Sequence, residues 1–410
     1  MILSKYKQFV KDYFFASSFQ LFNVISPFLV IYLVIPIIEK KLYANVLLVT
    51  SLASYFKLLY DYGFEYFGAK KINSTSSNEL KSIVFSGIMN SKLIIVVILV
   101  IPQILLSYFL LIDKNLVFII SHVSGIIFLG LNPFWYFTAM KKFNLLALIN
   151  LIIQFVFILL IIILIKNKED WMYYGLAYSI SQFLGLVISV FILQRNGVRY
   201  HFKFNLTGYF IKKSFSIMSF GVLSNVYVSS TVILLKFFNI SSEMITDFGI
   251  AEKIVRGIRQ IISPINRILY PRLAKLYLVS FSDFKKLIWN GVSLITFLGV
   301  SLTIGLFVFK EQIFELLNFP INQNLLNLTN LLSPIFIVGS LAGFLSYGYM
   351  ITTNKESQLL KILFITIIIF LLANILLVPK YHAIGAAIAI LISETILVLS
   401  IFSISKAFRK

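Results

Sequence analysis

Stretches of roughly 20 apolar residues recur about a dozen times along this chain, parted only by short polar segments, and that is the length an α-helix needs to cross the hydrocarbon core of a bilayer. Few environments tolerate such a pattern. Inside lipid the backbone must satisfy its own hydrogen bonds, so each stretch becomes a helix. The chain is 59% hydrophobic and 13% charged, against about 45–50% and 25% in an ordinary soluble domain, so no water-facing shell can be assembled from it. The fold class is therefore an all-α polytopic membrane protein.

Helices are expected at 12–38, 42–68, 82–112, 115–140, 144–165, 171–193, 212–240, 243–272, 284–310, 324–350, 359–379 and 382–405. With the N-terminus inside, the loops on the cytoplasmic side carry 22 Lys and Arg and those on the other side 7, which places both termini in the cytoplasm. The same bias explains the formal charge of +20 without a nucleic-acid partner, since the cations lie in short clusters between apolar runs. Lys5, Lys7 and Lys11 precede an apolar stretch too long for a signal peptide, so the first helix is expected to be retained. With no Cys in the chain, disulfides, thiol catalysis and Cys metal sites are excluded.

The longest internal polar stretch, Gln194 to Lys213, divides the chain into an N-terminal six-helix bundle (1–195), a cytoplasmic linker (196–211) and a C-terminal six-helix bundle (212–410). Secondary transporters often have this six-plus-six plan, with substrate held where the halves meet.

Seven cations fall inside the expected helices: Lys57, Lys92, Lys236, Lys253, Arg256, Arg259 and Arg267. A charge at the bilayer centre costs about 2.5–3.5 kcal/mol on insertion scales, so such residues face a bundle interior or a watery path. Asp61, Glu65, Glu252 and Glu394 lie at similar depth, with Asp247 near a helix end. Even with every acid paired, positive charge is left over, and an anionic ligand would neutralise it. On the eighth helix Glu252, Arg256, Arg259, Ser263 and Arg267 fall on one face at 100° per residue. Glu252 and Arg256 can pair at i,i+4, while Arg259 has no local acid. Guanidinium matches phosphate oxygens with two parallel bonds, which favours a phosphate or pyrophosphate ligand. The alternative is a set of interhelix salt bridges, with Arg267 snorkelling at the cytoplasmic end. Lys57, Asp61 and Glu65 repeat every four residues on the second helix, as a gate, a coupling site or a packing pair.

Pro27, Pro102, Pro133, Pro264 and Pro334 are expected to bend their helices. Trp135, Tyr136, Trp171, Tyr173 and Tyr174 fit the aromatic belts at the membrane interfaces. There is no phosphate-cradling Gly loop, no metal-spaced His cluster and no carboxylate pair in an aqueous loop. Neither a soluble enzyme nor an ATP-driven pump is indicated.

Asp61-Tyr62-Gly63-Phe64, Pro133-Phe134-Trp135-Tyr136-Phe137, and Ala251-Glu252-Lys253-Ile254-Val255-Arg256 followed by Tyr270-Pro271-Arg272-Leu273 occur in this order along the chain. Together with helix count and spacing, they resemble Wzx-type polysaccharide flippases of the multidrug/oligosaccharidyl-lipid/polysaccharide (MOP) exporter superfamily. The resemblance implies a MATE-like pair of six-helix bundles around a central cationic cavity in the bacterial inner membrane. It also implies an undecaprenyl-pyrophosphate-linked glycan, such as an O-antigen repeat unit, as substrate, and no cofactor. Alternating access would be coupled to a proton or sodium gradient, with Asp61, Glu65, Glu252 and Glu394 as coupling or gating acids. Membrane lipids, a polysaccharide polymerase and chain-length proteins would be its partners. Cavity cations would be Arg256, Arg259, Lys253, Lys92, Lys57, Lys236 and Arg267. A drug antiporter of the same superfamily is the second reading, disfavoured by the positive excess. A membrane polysaccharide polymerase is disfavoured by the short outside loops.

Overall fold

The structure, a computed structural model, describes residues 26–73, 77–202 and 204–405. Lys5, Lys7, Lys11 and the start of the expected first span lie outside the described residues. The elements are all helical. After α1 (26–34) come α2 (Lys40–Asp61), α3 (Phe64–Asn73), α4 (Asn78–Leu110), α5 (Leu116–Leu131), α6 (Phe134–Ala139), α7 (Phe143–Leu164) and α8 (Tyr173–Arg195). Then follow α9 (Thr207–Phe237), α10 (Ser242–Arg259), α11 (Ser263–Val279), α12 (Phe281–Leu316), α13 (Gln323–Leu332), α14 (Ile335–Leu345) and α15 (Glu356–Ile404), with a π turn at Ser346–Ile351 after α14.

Among the described residues, eight helical runs are long and apolar enough to cross a membrane, and the longest, Glu356–Ile404, has 49 residues and turns sharply at His382 (φ 52°, ψ −131°), so it supplies two spans. Adding α1, α9 and the α10–α11 run gives the order of twelve spans anticipated from hydropathy. Those last two runs are more polar, with Lys236 on α9 and Lys253, Arg256 and Arg259 on α10. Side-chain caps mark where helices begin: Asn115 Oδ1 accepts from Phe118 N at 3.0 Å to start α5, and Asn322 Oδ1 from Leu325 N at 2.7 Å to start α13.

Two compact units divide between Asn225 and Val226, inside α9. In the first, α5 and α8 pack closely and are flanked by α2, α4 and α7, with the His122 ring stacked on Tyr178 at 5.2 Å between them. Val97, Ile98, Ile101 and Phe109 of α4 stand exposed, a reversal of soluble packing that suits contact with acyl chains. In the second unit α10 packs on α13 and α14, while α14 bridges α12 and α15.

Several elements differ from the expectation. Trp135, Tyr136, Trp171 and Tyr174 are buried within the first unit instead of facing the lipid interface; Trp135 stacks on Phe85 at a ring separation of 6.1 Å. Large rings bury too much apolar area to be left outside once a helix presents them inward. Pro133 and Pro334 end helices outright, separating α5 from α6 and α13 from α14, whereas Pro102 is accommodated inside α4.

Candidate functional site

The charged residues gather in two clusters, one in each unit. In the second unit the cluster is built on α10, whose N-cap Ser241 accepts from Met244 N at 3.4 Å and whose last turn carries Arg256 and Arg259. Cations at a helix C-terminus meet the negative end of the helix dipole, which favours both. Arg256 Nε donates to Glu252 Oε1 at 2.9 Å, one turn back, as the i,i+4 spacing requires. Arg259 does have an acid: its Nη1 lies 3.9 Å from Glu394 Oε1 on α15. Side-chain exposure is 17% for Arg256 and 27% for Arg259, against 11% and 3% for their carboxylates, and Nη2 of Arg256 is buried, so Arg259 is the more open of the two arginines.

The guanidinium of Arg259 lies against α14 at Gly339. A Cβ added there would fall 2.3 Å from Nη1, so only glycine leaves space for it. Among the described residues, Glu394 Oε2 and Ser340 Oγ are buried without a hydrogen-bond partner. Sequence reasoning did not single out Gly339 or Ser340, although their small-residue setting in an apolar helix, Gly339-Ser340-Leu341-Ala342-Gly343, is the sort that lets helices approach closely.

A 3₁₀ turn at Gln260–Ile262 interrupts the eighth span, and Pro264 sits in the first turn of α11, where its missing N–H costs nothing. Ser263 and Arg267 lie beyond that turn, on α11. Lys253 is half-buried on α10, and Lys236 occupies the last turn of α9. Asp247 accepts from Asn322 Nδ2 at 2.8 Å and so joins α10 to the cap of α13.

The first-unit cluster centres on Lys92 of α4, 2% exposed. Its Nζ donates to Gly130 O at 2.8 Å and to Asp61 Oδ1 at 3.3 Å, so one ammonium ties α4 to the ends of α5 and α2. The Lys57, Asp61, Glu65 ladder is broken: α2 ends at Tyr62 (φ 51°) and Gly63 (φ 74°), and Glu65 sits in the first turn of α3. Glycine is needed at 63 for its left-handed φ, and any Cβ would also lie 2.8 Å from Ile217. Lys57 and Glu65 are exposed.

A family model described as "Polysaccharide biosynthesis protein" matches residues 9–277. The chain belongs to that family. Its relatives include proteins named "Putative O-antigen transporter" from Escherichia coli strain K12, 23% identical over 83% of each chain, and from Shigella dysenteriae, 24% identical over 92% of this chain and 95% of that one. A solved structure described as lipid II flippase MurJ, inward closed, superposes with TM-score 0.70 at 16% identity, over 93% of this chain and 87% of that one. An inward-facing multidrug resistance MATE family transporter of the MOP superfamily gives TM-score 0.67 at 13% identity, over 94% and 93%. This polysaccharide biosynthesis family member thus has the twelve-helix MOP transporter fold and is a multi-pass membrane protein, in line with the resemblance seen in its motifs.

Proposed function

We propose that the protein is a flippase moving an undecaprenyl-pyrophosphate-linked oligosaccharide across the bacterial inner membrane by alternating access, with Arg256 and Arg259 holding the pyrophosphate. It is a transporter and no enzyme. Its termini lie in the cytoplasm, and bundles 1–195 and 212–410 are joined by the linker 196–211. The observation carrying this reading is the arginine pair on α10. Each arginine is paired with a less exposed carboxylate, and Arg259, the more exposed of the two, is the one best placed to offer a fork to phosphate oxygens. Lys253, Lys236 and Arg267 are the further cations of the second unit and Lys92 and Lys57 those of the first, and Asp61, Glu65, Glu252 and Glu394 are the acids available to couple or gate. A polysaccharide polymerase and chain-length proteins are the partners that would consume the flipped unit.

The fold is shared with multidrug exporters, so the decisive experiment compares substrates. Proteoliposomes containing the purified protein are given a fluorescent polyprenyl-pyrophosphate oligosaccharide or an organic cation dye. Flipping of the former alone is expected; transport of the dye alone would assign the chain to drug export.

A further inference from the structure

The segment that leaves α8 is stitched along α4 by its main chain. Arg199 N donates to Ser82 Oγ at 3.0 Å, His201 N donates to Ser86 Oγ at 2.8 Å, and Asn90 Nδ2 donates to His201 O at 3.1 Å. The Tyr200 hydroxyl also meets Asn90 Oδ1. Ser82, Ser86 and Asn90 are spaced at i, i+4 and i+8, which makes them one stripe of α4, and all three are buried beneath the segment. Lys142 Nζ on Asn196 Oδ1 at 3.1 Å fastens its start. Phe210 fastens its end: the ring lies so close to Gly87 that a Cβ there would be 2.3 Å away.

Since the N–H groups of residues 199 and 201 both point to α4, the chain between them is extended and its side chains alternate between two faces. Tyr200, Phe202 and Phe204 form a row of rings, with centroids 6.3 Å and 4.8 Å apart. All three are exposed, Phe202 to 69%. Arg199 and His201 alternate with them and are exposed too, and the next helix turn adds exposed Lys212 and Lys213 beside Tyr209 and Phe215. Arg195 lies over the Phe191 ring at 4.7 Å. No Asp or Glu occurs between Asp170 and Glu243; the exposed acid nearby is Glu79, in the first turn of α4.

A rigidly held row of exposed rings next to cations, with no acid in that stretch, is costly in water and suited to the headgroup zone of a membrane. Aromatic rings enter the acyl boundary there, and cations meet lipid phosphates. We infer that residues 198–202 and 204–213 form a membrane-surface strap that binds the anionic phospholipid headgroups of the adjoining leaflet. Tyr200, Phe202 and Phe204 dip into the interface, while Arg199, Lys212 and Lys213 engage the phosphates. The serine-asparagine stripe of α4 supplies the main-chain partners and holds the Tyr200 hydroxyl, so the ring faces and the other side chains of the row are left to the lipid.

The chain has no native cysteine, so Phe202→Cys carrying an environment-sensitive nitrobenzoxadiazole label reports on this contact. The full-length labelled protein is placed in nanodiscs of phosphatidylcholine alone, or of equal parts phosphatidylcholine and phosphatidylglycerol. A blue shift in the anionic discs only, reversed by high salt in the same sample, is expected. Loss of that shift is expected when Arg199, Lys212 and Lys213 are all changed to Gln, in protein that elutes as a single species. Water-like emission in both discs would overturn the proposal. So would an equal, salt-insensitive shift in both, which would mean apolar contact without headgroup recognition. Neither readout involves glycan transport, so failure here leaves the flippase reading standing.

Discussion

Arg259 of α10 and Glu394 of α15 come within 3.9 Å of each other beside Gly339, at positions 135 residues apart in the chain. The less exposed carboxylate orients the arginine, and one of its oxygens keeps no hydrogen-bond partner. Removing the arginine therefore leaves a buried acid without its cation, besides taking away the proposed phosphate contact. For that reason Arg259→Ala is best read with a partner change. Charge-assisted bonds to Arg contribute about 1.5–3 kcal/mol each, so flipping should fall by about tenfold or more. The Arg259→Ala, Glu394→Gln double variant should remain impaired. Recovery to the wild-type rate, at equal expression, would reduce the pair to a packing contact.

Gly339→Ala offers a gentler version of the same test. The new methyl meets the flexible end of Arg259 at 2.3 Å, so the guanidinium must move while the helix gains a better former. Membrane insertion and thermal stability should stay near wild type and flipping should drop. Unchanged flipping would show that the position of Arg259 does not matter.

Arg256 needs the matching control. Glu252→Gln with Arg256→Gln removes both charges of the i,i+4 pair together. Such a double variant stays impaired in flipping assays if Arg256 holds substrate, and regains function if the pair is structural.

Lys92 should act on stability. Lys92→Ala leaves Asp61 and Gly130 O without their cation, at a cost of roughly 2 kcal/mol; that is below the range for a fully buried pair because Asp61 keeps 31% of its side chain open. Thermal unfolding in detergent measures it. Wild-type stability would mean that the contact contributes nothing.

Coupling is tested in vesicles with and without an imposed proton or sodium gradient, for the wild type and for Asp61→Asn and Glu65→Gln. Stimulation by one gradient, lost in one of the variants, is expected. Equal rates under both conditions would remove the coupling role.

Topology can be read with single cysteines at Asn167 and Asn239, expected to label from outside intact cells, and at Asn205, expected to be protected. All three are exposed in the structure. Labelling of 205 from outside would invert the assignment.

Hydropathy alone determined the helical class and the order of spans, because insertion into lipid depends on local runs of side chains and on backbone bonds closed within one helix. The Glu252–Arg256 pair was legible for the same reason, since one turn of helix sets it. What the tertiary structure decided is which charges meet across helices: Arg259 with Glu394, and Lys92 with both Asp61 and Gly130. These contacts depend on which faces of separate helices pack together, and a helical period carries no information about its neighbour. The breaks at Tyr62–Gly63 and Gln260–Ile262 were missed because each lies inside a run that reads as one continuous helix. The close fit of Arg259 against Gly339 was invisible for a further reason: a glycine in an apolar helix shows its role only when another helix brings a side chain into the space a Cβ would fill.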